Sequence, residues 1–281
     1  MDNKKETIIK IMDVLGIGEI LGKIIDDKSL YTREMNQLRI EQEKVIKKEI
    51  IDSKTYTPEQ RLQLCTLATN NKKFVRQMEV LNIAIENMNE ESCADNLEID
   101  WLLDLFDKSS LIGDRGMQAV YGKLVAYAST DRNICSKTLL NALFLMGTEQ
   151  ITAFQNLGRF CISEFGYGNC TDKIYSYPIV YFRKNASSYE AMGITRLKLN
   201  KLASLGLIEV NYDREFVFSK KNVQLIYNNK FINIRSEEPI KIGNVIFTYD
   251  GFLLYQMIEK NYNNRILDYN IERNFIFHVS M

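Results

Sequence analysis

The spacing of apolar residues changes along the chain from a helical period to short apolar runs. Up to about residue 91, and again from about 97 to 165, leucines and aromatic residues recur at the three- and four-residue intervals of a helix. From about residue 172 onward, β-branched and aromatic residues form short runs typical of strands. The pattern predicts a mainly α protein, with an N-terminal and central helical bundle and a small C-terminal α+β domain.

The change from helical spacing to strand-like runs, together with the break near residue 91, predicts three domains. Residues 1–91 hold an apolar opening segment and long helices, residues 92–170 a central helical bundle, and residues 171–281 a mixed α+β domain. Short connections rich in Gly, Ser, Thr and Asp join the central helices, as in an antiparallel bundle.

The opening helix, predicted at residues 8–25, is apolar on nearly all sides. Lys10, Asp13, Glu19 and Lys23 are scattered around it, whereas a surface amphipathic helix gathers its polar residues on one face. Insertion into lipid would cost roughly 2.5–3.5 kcal/mol for each acidic residue at the centre of the bilayer. Exposure to water is also unfavourable, so the protein itself, a second copy of the chain or, as the alternative, a membrane must cover it. The residues assigned to this assembly or membrane surface are Ile17, Ile20, Leu21 and Ile24.

Several local signals mark the ends of the helices that follow. Residues 29–52 predict a long charged helix with a thin apolar stripe, suited to a hairpin or a partner helix. Thr57 followed by Pro58 predicts a capped helix start, with helices at about 58–70 and 72–90. Asp114 is placed to cap a helix in the central bundle.

The last domain contains a helix at residues 194–207 that leads into Leu-Gly-Leu-Ile and then a hairpin. This order resembles a winged-helix unit. In a nucleic-acid-binding reading, Arg196, Lys198 and Lys201 contact phosphates. In the alternative, the leucines dock the helix and the cations remain solvated. Winged-helix shapes also serve as protein-contact modules, so the shape leaves both readings open.

The composition of the chain limits the classes of function that are compatible with it. Lys and Arg number 36 and balance 36 Asp and Glu, so no overall field steers the chain to nucleic acid or anionic lipid, although a local basic face remains compatible. Five cysteines without a CxxC pair fit buried thiols in a reducing cytoplasm. No secretory signal or long charge-free apolar run is present, so we expect a cytoplasmic protein that associates with the inner membrane only on activation.

Candidate catalytic chemistry is sparse. Asp100, Asp104 and Asp107 share one helix face and would suit a divalent cation or acid–base work, but a solvated face is the simpler interpretation. His278 is the sole histidine and lies near the end of the sequence, which removes the usual base of nucleophilic mechanisms. The sequence therefore predicts no catalytic residue, no metal site and no cofactor.

Several blocks together carry a family resemblance. They are Asp100-Trp101, then Asp114 and Met117-Gln118, the block SKTLLNALFLMGTEQITAFQNL, the block KLASLGLIEV, and the ending IGNVIFTYDGFLLYQMI. The chain resembles an uncharacterised group of bacterial helical proteins related to the abortive-infection alpha family. The resemblance implies a bacterial protein of phage defence and supplies no catalytic residue.

These observations lead to two functional hypotheses. The first is a non-catalytic, homo-oligomeric abortive-infection component whose N-terminal helices mediate assembly or perturb a membrane, together with a partner protein of the same defence system. The second is a protein that binds nucleic acid, or senses an oligonucleotide or nucleotide, through the winged-helix-like unit.

Overall fold

The computed structural model describes residues 3–16, 40–41, 44–45, 48, 56–161, 163–164, 178–179, 186–218, 222–227, 230–235 and 240–258. Two compact units are present, Met1–Lys137 and Thr138–Met281. The chain is mainly helical, with small antiparallel sheets in the second unit, which confirms the predicted fold class at that level. The two units divide at the start of a helix, and the three-domain division at residues 91 and 170 stays a prediction.

In the described part of the first unit, four α-helices and two short 3₁₀ turns have defined bounds. The helices are α1 (Asn3–Val14), α2 (Pro58–Asn87), α3 (Ile99–Ser110) and α4 (Arg115–Thr130), and the turns are Ala94–Asn96 and Arg132–Ile134. Helix α2 packs against α3 and α4, and α1 packs against the first 3₁₀ turn and α3. The large buried side chains of this unit come from all four helices and include Trp101, Phe106, Tyr121, Leu81 and Ile11.

The structure of helix α2 contradicts one expectation from the sequence and confirms another. The helices predicted at 58–70 and 72–90 form one continuous helix, because Asn70-Asn71 offers neither proline nor glycine to interrupt the hydrogen-bond ladder. The predicted cap is present. The Thr57 hydroxyl accepts a hydrogen bond from the Gln60 backbone N–H at 3.3 Å, and the Gln60 side chain accepts one from the Thr57 N–H at 2.9 Å.

The first half of the predicted opening helix packs inside the first unit. Ile8, Ile11 and Met12 are buried on one side of α1. On another side the Lys10 ammonium donates hydrogen bonds to the backbone oxygens of Ala94 at 2.6 Å and Leu97 at 2.8 Å. The protein itself therefore covers the described part of this apolar segment.

The second unit begins with α5 (Lys137–Leu145) and α6 (Thr148–Gly158) and continues with α7 (Ala186–Glu190), α8 (Arg196–Ser204) and α9 (Tyr249–Met257). The sequence pattern predicts helix as far as about residue 165, but α6 ends at Gly158. Residues Ser163–Glu164 instead form strand β1, which pairs with a strand formed much later in the chain. Pairing between distant segments overrides the local helical period here.

Seven further strands lie among the described residues of this unit. They are β2 (Pro178–Ile179), β3 (Ile208–Val210), β4 (Phe216–Phe218), β5 (Asn222–Tyr227), β6 (Lys230–Arg235), β7 (Ile240–Gly243) and β8 (Val245–Phe247). All pairs are antiparallel, in sheets ordered β2-β8-β3, β1-β5-β6 and β4-β7. Tyr227 pairs with Lys230, so β5 and β6 form a hairpin whose two turn residues lie outside the described residues.

The core of the second unit lies between the β2-β8-β3 sheet and the helices. Phe247 of β8 contacts Phe154 of α6 and Tyr255 of α9, with ring centroids 5.1 and 5.4 Å apart. Helix α9 approaches the backbone closely at Gly251, where a Cβ atom would lie 1.8 Å from the Leu207 carbonyl oxygen. Glycine is therefore required at this contact.

Candidate nucleic-acid interface

Helices α7 and α8 form a helix–turn–helix joined by residues 191–195. The turn contains Gly193 at φ 79°, a conformation that glycine adopts without strain, and its N–H donates to the Glu190 oxygen at 2.9 Å. Thr195 then caps α8, its hydroxyl accepting from the Lys198 N–H at 3.4 Å. Buried Tyr189 and Ile194 hold the turn against the core. This places α8 with one face inward and the other outward.

The outward face of α8 carries positive charge and no carboxylate. Leu199 and Leu202 are buried beneath it. The exposed residues at helical spacing are Arg196, Leu197, Asn200, Lys201 and Ser204. The sequence interpretation in which leucines dock the helix is correct for Leu199 and Leu202, but Leu197 is 65% exposed and lies among the polar residues.

Tyr212, in the loop that follows β3, joins two residues of this face. Its ring lies under the Arg196 guanidinium, with 4.6 Å between the guanidinium carbon and the ring centroid. Its hydroxyl donates a hydrogen bond to Asn200 Oδ1 at 2.8 Å. The three side chains therefore form a cluster that is held by a cation–π contact and a hydrogen bond. Two of them come from α8, and the third comes from the loop after β3.

The loop bearing Tyr212 is itself held by two asparagines. The Asn211 side chain accepts hydrogen bonds from the N–H groups of Asp213 at 3.1 Å and Arg214 at 2.9 Å. Buried Asn244 donates to the backbone oxygens of Asn211 at 2.9 Å and Arg214 at 3.2 Å. The loop conformation, and with it the place of the tyrosine, therefore rests on contacts made within the unit.

The chain segment that holds β3 and β4 pairs with the segment that holds β7 and β8 on both sides of this loop. Strands β3 and β8 pair before the loop, and β4 and β7 pair after it, with a register shift at Phe216. Lys241 and Glu215 form an ion pair at 3.1 Å on these strands. These strand pairs form a two-stranded arm.

The three cations predicted to contact phosphate do not form one group. Arg196 and Lys201 are exposed on the outward face, whereas the Lys198 ammonium extends toward Gly193 in the turn and is half-buried. No carboxylate of the described residues lies within ion-pair distance of any of the three. Arg196 and Lys201 are thus available to an anionic ligand.

The family model described as Protein of unknown function (DUF2806) matches residues 60–269. The chain belongs to this family. The DUF2806 match includes most of α2, all of the helix–turn–helix and the arm, and it leaves α1 outside. No curated protein and no solved structure matches the chain.

The remaining candidate residues fall outside this interface. Asp100 and Asp107 are exposed, and Asp104 bonds to Lys108 one turn away. In the described part of the chain, no three His, Cys, Asp or Glu side chains are placed to hold a metal ion. The assembly or membrane residues Ile17, Ile20, Leu21 and Ile24 lie outside the described residues, as does His278. No helix among the described residues is both long and apolar enough to cross a membrane.

The cysteines only partly match the expectation of buried thiols. Cys161 is buried, and Cys93 and Cys135 are half-buried. Burial raises the pKa of the Cys135 thiol, which keeps it protonated at neutral pH. Cys65 is exposed, because it lies on a part of α2 that contributes no buried residue.

Sequence reasoning missed Asn200 and Tyr212 as parts of the interface. Their side chains meet only because β3 returns the chain beside α8, a contact across twelve residues that periodicity does not encode. One local signal was available. The run Asn211-Tyr212-Asp213-Arg214 directly after a strand is typical of an Asx-type turn that exposes its second residue.

Proposed function

We propose that the second unit is a winged helix that binds nucleic acid through α8. A winged helix has the order helix, strand, two helices joined by a tight turn, strand, hairpin arm and final strand. Helix α6, β2, α7 and α8, β3, the arm and β8 follow this order. The sheet order β2-β8-β3 places the final strand in the centre, as such a fold requires.

The outward face of α8 is the observation that carries the proposal. A helix used only for packing has no need of an exposed arginine and lysine on a face without acidic residues. Nucleic acid binds where cations neutralise phosphates and where amide or apolar side chains reach the groove. Arg196 and Lys201 supply the charge, and Asn200 and Leu197 lie between them.

The test is fluorescence anisotropy of a labelled random-sequence DNA duplex over a series of salt concentrations. Arg196→Ala with Lys201→Ala should weaken binding and lower the slope of log K against log salt by about 2, because each phosphate contact contributes about 0.9. Arg61→Ala with Lys72→Ala removes the same charges from exposed positions on α2 and should leave the slope unchanged. Absence of binding by the intact protein at low salt would contradict the proposal.

A second candidate function, self-assembly through the N-terminal helices, is favoured by the exposed half of α2. The first buried residue of this helix is Met78, so about 30 Å of helix precedes any fully buried residue. Leu62 and Leu67 are 69% and 59% exposed there, and Ile40 and Val45 are exposed among the few described residues upstream. Helices in proteins are stabilised mostly by packing of one face, so a second copy of the chain is a suitable partner for this exposed half.

Native mass spectrometry tests the assembly. The intact protein should be an oligomer, and Leu62→Lys with Leu67→Lys should shift it toward the monomer. Leu103→Lys with Leu111→Lys, at exposed leucines of α3 and the turn after it, is the matched control. A monomeric wild-type protein at micromolar concentration would remove this candidate.

The resemblance to abortive-infection alpha proteins supports a biological setting, which we propose to be phage defence in the bacterial cytoplasm, with inner-membrane association and a partner protein on activation. Plaque counts on cells expressing the wild-type protein should fall relative to cells carrying an empty vector. Fractionation of infected cells should place part of the protein with the inner membrane. Unchanged plaque counts across a broad phage panel would argue against this setting.

A further inference from the structure

We propose that Asn200 reads an A·T base pair in the major groove of duplex DNA and that Tyr212 positions it for this contact. The inference rests on the proposed nucleic-acid function and adds the ligand class and the specificity-determining residue. Asn200 lies on the exposed face of α8, and Tyr212 reaches it from the loop after β3.

The hydrogen bond from Tyr212 leaves Asn200 with the groups that adenine requires. An amide oxygen has two acceptor sites and an amide nitrogen has two donor hydrogens. The tyrosine hydroxyl occupies one acceptor site of Oδ1, at 2.8 Å. One acceptor site and both donors remain. The major-groove edge of adenine offers a donor at N6 and an acceptor at N7, which an asparagine amide matches with two hydrogen bonds.

Tyr212 orients the amide before any ligand is present. The ring lies under the Arg196 guanidinium, and the loop that carries it is held by Asn211 and buried Asn244. The contacts of Asn211 and Asn244 use no group that the proposal assigns to the ligand. A side chain that is already ordered loses less conformational freedom on binding, so its base contact discriminates better.

Leu197 favours duplex DNA over RNA as the ligand. It is 65% exposed and precedes Asn200 by three residues, which places the two side chains next to each other on α8. Thymine carries a methyl group in the major groove, where an apolar side chain packs against it. The deep, narrow major groove of an RNA helix does not admit a protein helix. Arg196 and Lys201 border this pair of residues and are placed for the phosphates on either side.

The experiment is selection from a random duplex DNA library, with a random RNA hairpin library run in parallel. The wild-type protein should enrich duplexes with an A·T pair at a fixed position. Asn200→Ala should lose the preference at that pair, reducing its discrimination by about tenfold or more, while the preferences at neighbouring positions persist. Lys201→Ala should weaken binding to all sequences equally and leave the selected motif unchanged.

Tyr212→Phe separates positioning from general structure. The variant keeps the ring under Arg196 and loses the hydroxyl that donates the hydrogen bond to Asn200. We expect unchanged affinity for non-specific duplex and a several-fold smaller preference for the A·T pair. Tyr127→Phe, at an exposed tyrosine of α4, should change neither quantity. A structural role alone would lower the melting temperature and both affinities together.

The outcomes of this selection separate a failure of the base-reading inference from a failure of the proposed nucleic-acid function on which it rests. Binding to duplex DNA without any enriched base would overturn the inference and leave the proposed function standing. An unchanged motif for Asn200→Ala, or preferential enrichment of RNA, would have the same consequence. Failure to bind either library would remove both proposals.

Discussion

Replacement of Ile11 by alanine tests whether the opening helix belongs to the core of the first unit. Ile11 is 0% exposed. The change removes three buried carbon groups, worth about 0.8 kcal/mol each, or about 2.4 kcal/mol in total. The cavity left behind adds to this loss, while the better helix propensity of alanine offsets about 0.4 kcal/mol. We expect the free energy of unfolding to fall by about 3 kcal/mol.

The matched control is the same substitution at an exposed isoleucine. Ile99 begins α3 and is 55% exposed, so Ile99→Ala removes the same carbon groups from a position that is largely in water. Its cost should be below about 1 kcal/mol. Both variants lose the same carbon groups, so the difference between their losses in the free energy of unfolding reports the effect of burial.

Urea denaturation followed by tryptophan fluorescence measures both variants. Trp101 is the only tryptophan of the chain and is fully buried in the first unit, so its emission reports the unfolding of that unit. With a urea m-value of about 1–3 kcal/mol/M, a loss of about 3 kcal/mol lowers the midpoint by about 1 M or more. If Ile11→Ala and Ile99→Ala shift the midpoint equally, α1 is not packed in the core, and an external partner or membrane must cover it.

Three further predictions concern single contacts. The Tyr121 hydroxyl is buried and has no hydrogen-bond partner among the described residues, so Tyr121→Phe should raise stability by about 1 kcal/mol at neutral pH, as measured by urea denaturation. Burial, with a smaller contribution from Asp104, raises the pKa of Tyr121. The folded state therefore keeps a proton that the unfolded chain releases near pH 10, so wild-type stability should fall above that pH by up to about 1.4 kcal/mol per unit, and Tyr121→Phe should fall less steeply. Gly251→Ala forces a Cβ into the Leu207 carbonyl oxygen and should cost about 3 kcal/mol or more, seen as a lower melting temperature; an unchanged value would contradict the close approach. Asp114→Ala removes the acceptor for the Met117 N–H at 2.8 Å and should cost about 1 kcal/mol, whereas Asp114→Asn should restore most of it.

Local signals in the sequence were sufficient where a structure depends on neighbouring residues. The Thr57 and Asp114 caps lie where the sequence predicts them. Each depends on hydrogen bonds between residues three or four positions apart, so the information lies within one turn of the chain. The strand-rich character of the last part is likewise a local property of β-branched and aromatic runs.

Local signals failed where distant segments compete with them. The sequence pattern extends α6 past residue 158, yet Ser163–Glu164 pairs with β5, more than fifty residues later. The sequence interpretation that grouped Leu197 with the docking leucines is wrong for a local reason: Leu197 lies two residues before Leu199, which puts it on another face of the helix, where it is exposed. Burial depends on which face other elements cover, and that is decided by packing.

In the candidate interface, too, some features depend on local sequence and others on the tertiary structure. The sequence by itself determined that a short cationic helix leads into strands, because residues 194–207 carry both the helical period and the charges, and β-branched and aromatic runs follow them. The hairpin predicted directly after this helix is wrong, because β3 pairs with β8 and β4 pairs with β7. Only the tertiary structure decided that Lys198 turns toward Gly193 and that Tyr212 joins Arg196 and Asn200. The physical reason is that a side-chain contact across twelve residues requires the backbone to reverse direction between α8 and β3. The loop after β3 that carries Tyr212 is held by buried Asn244, which lies more than thirty residues further along the chain.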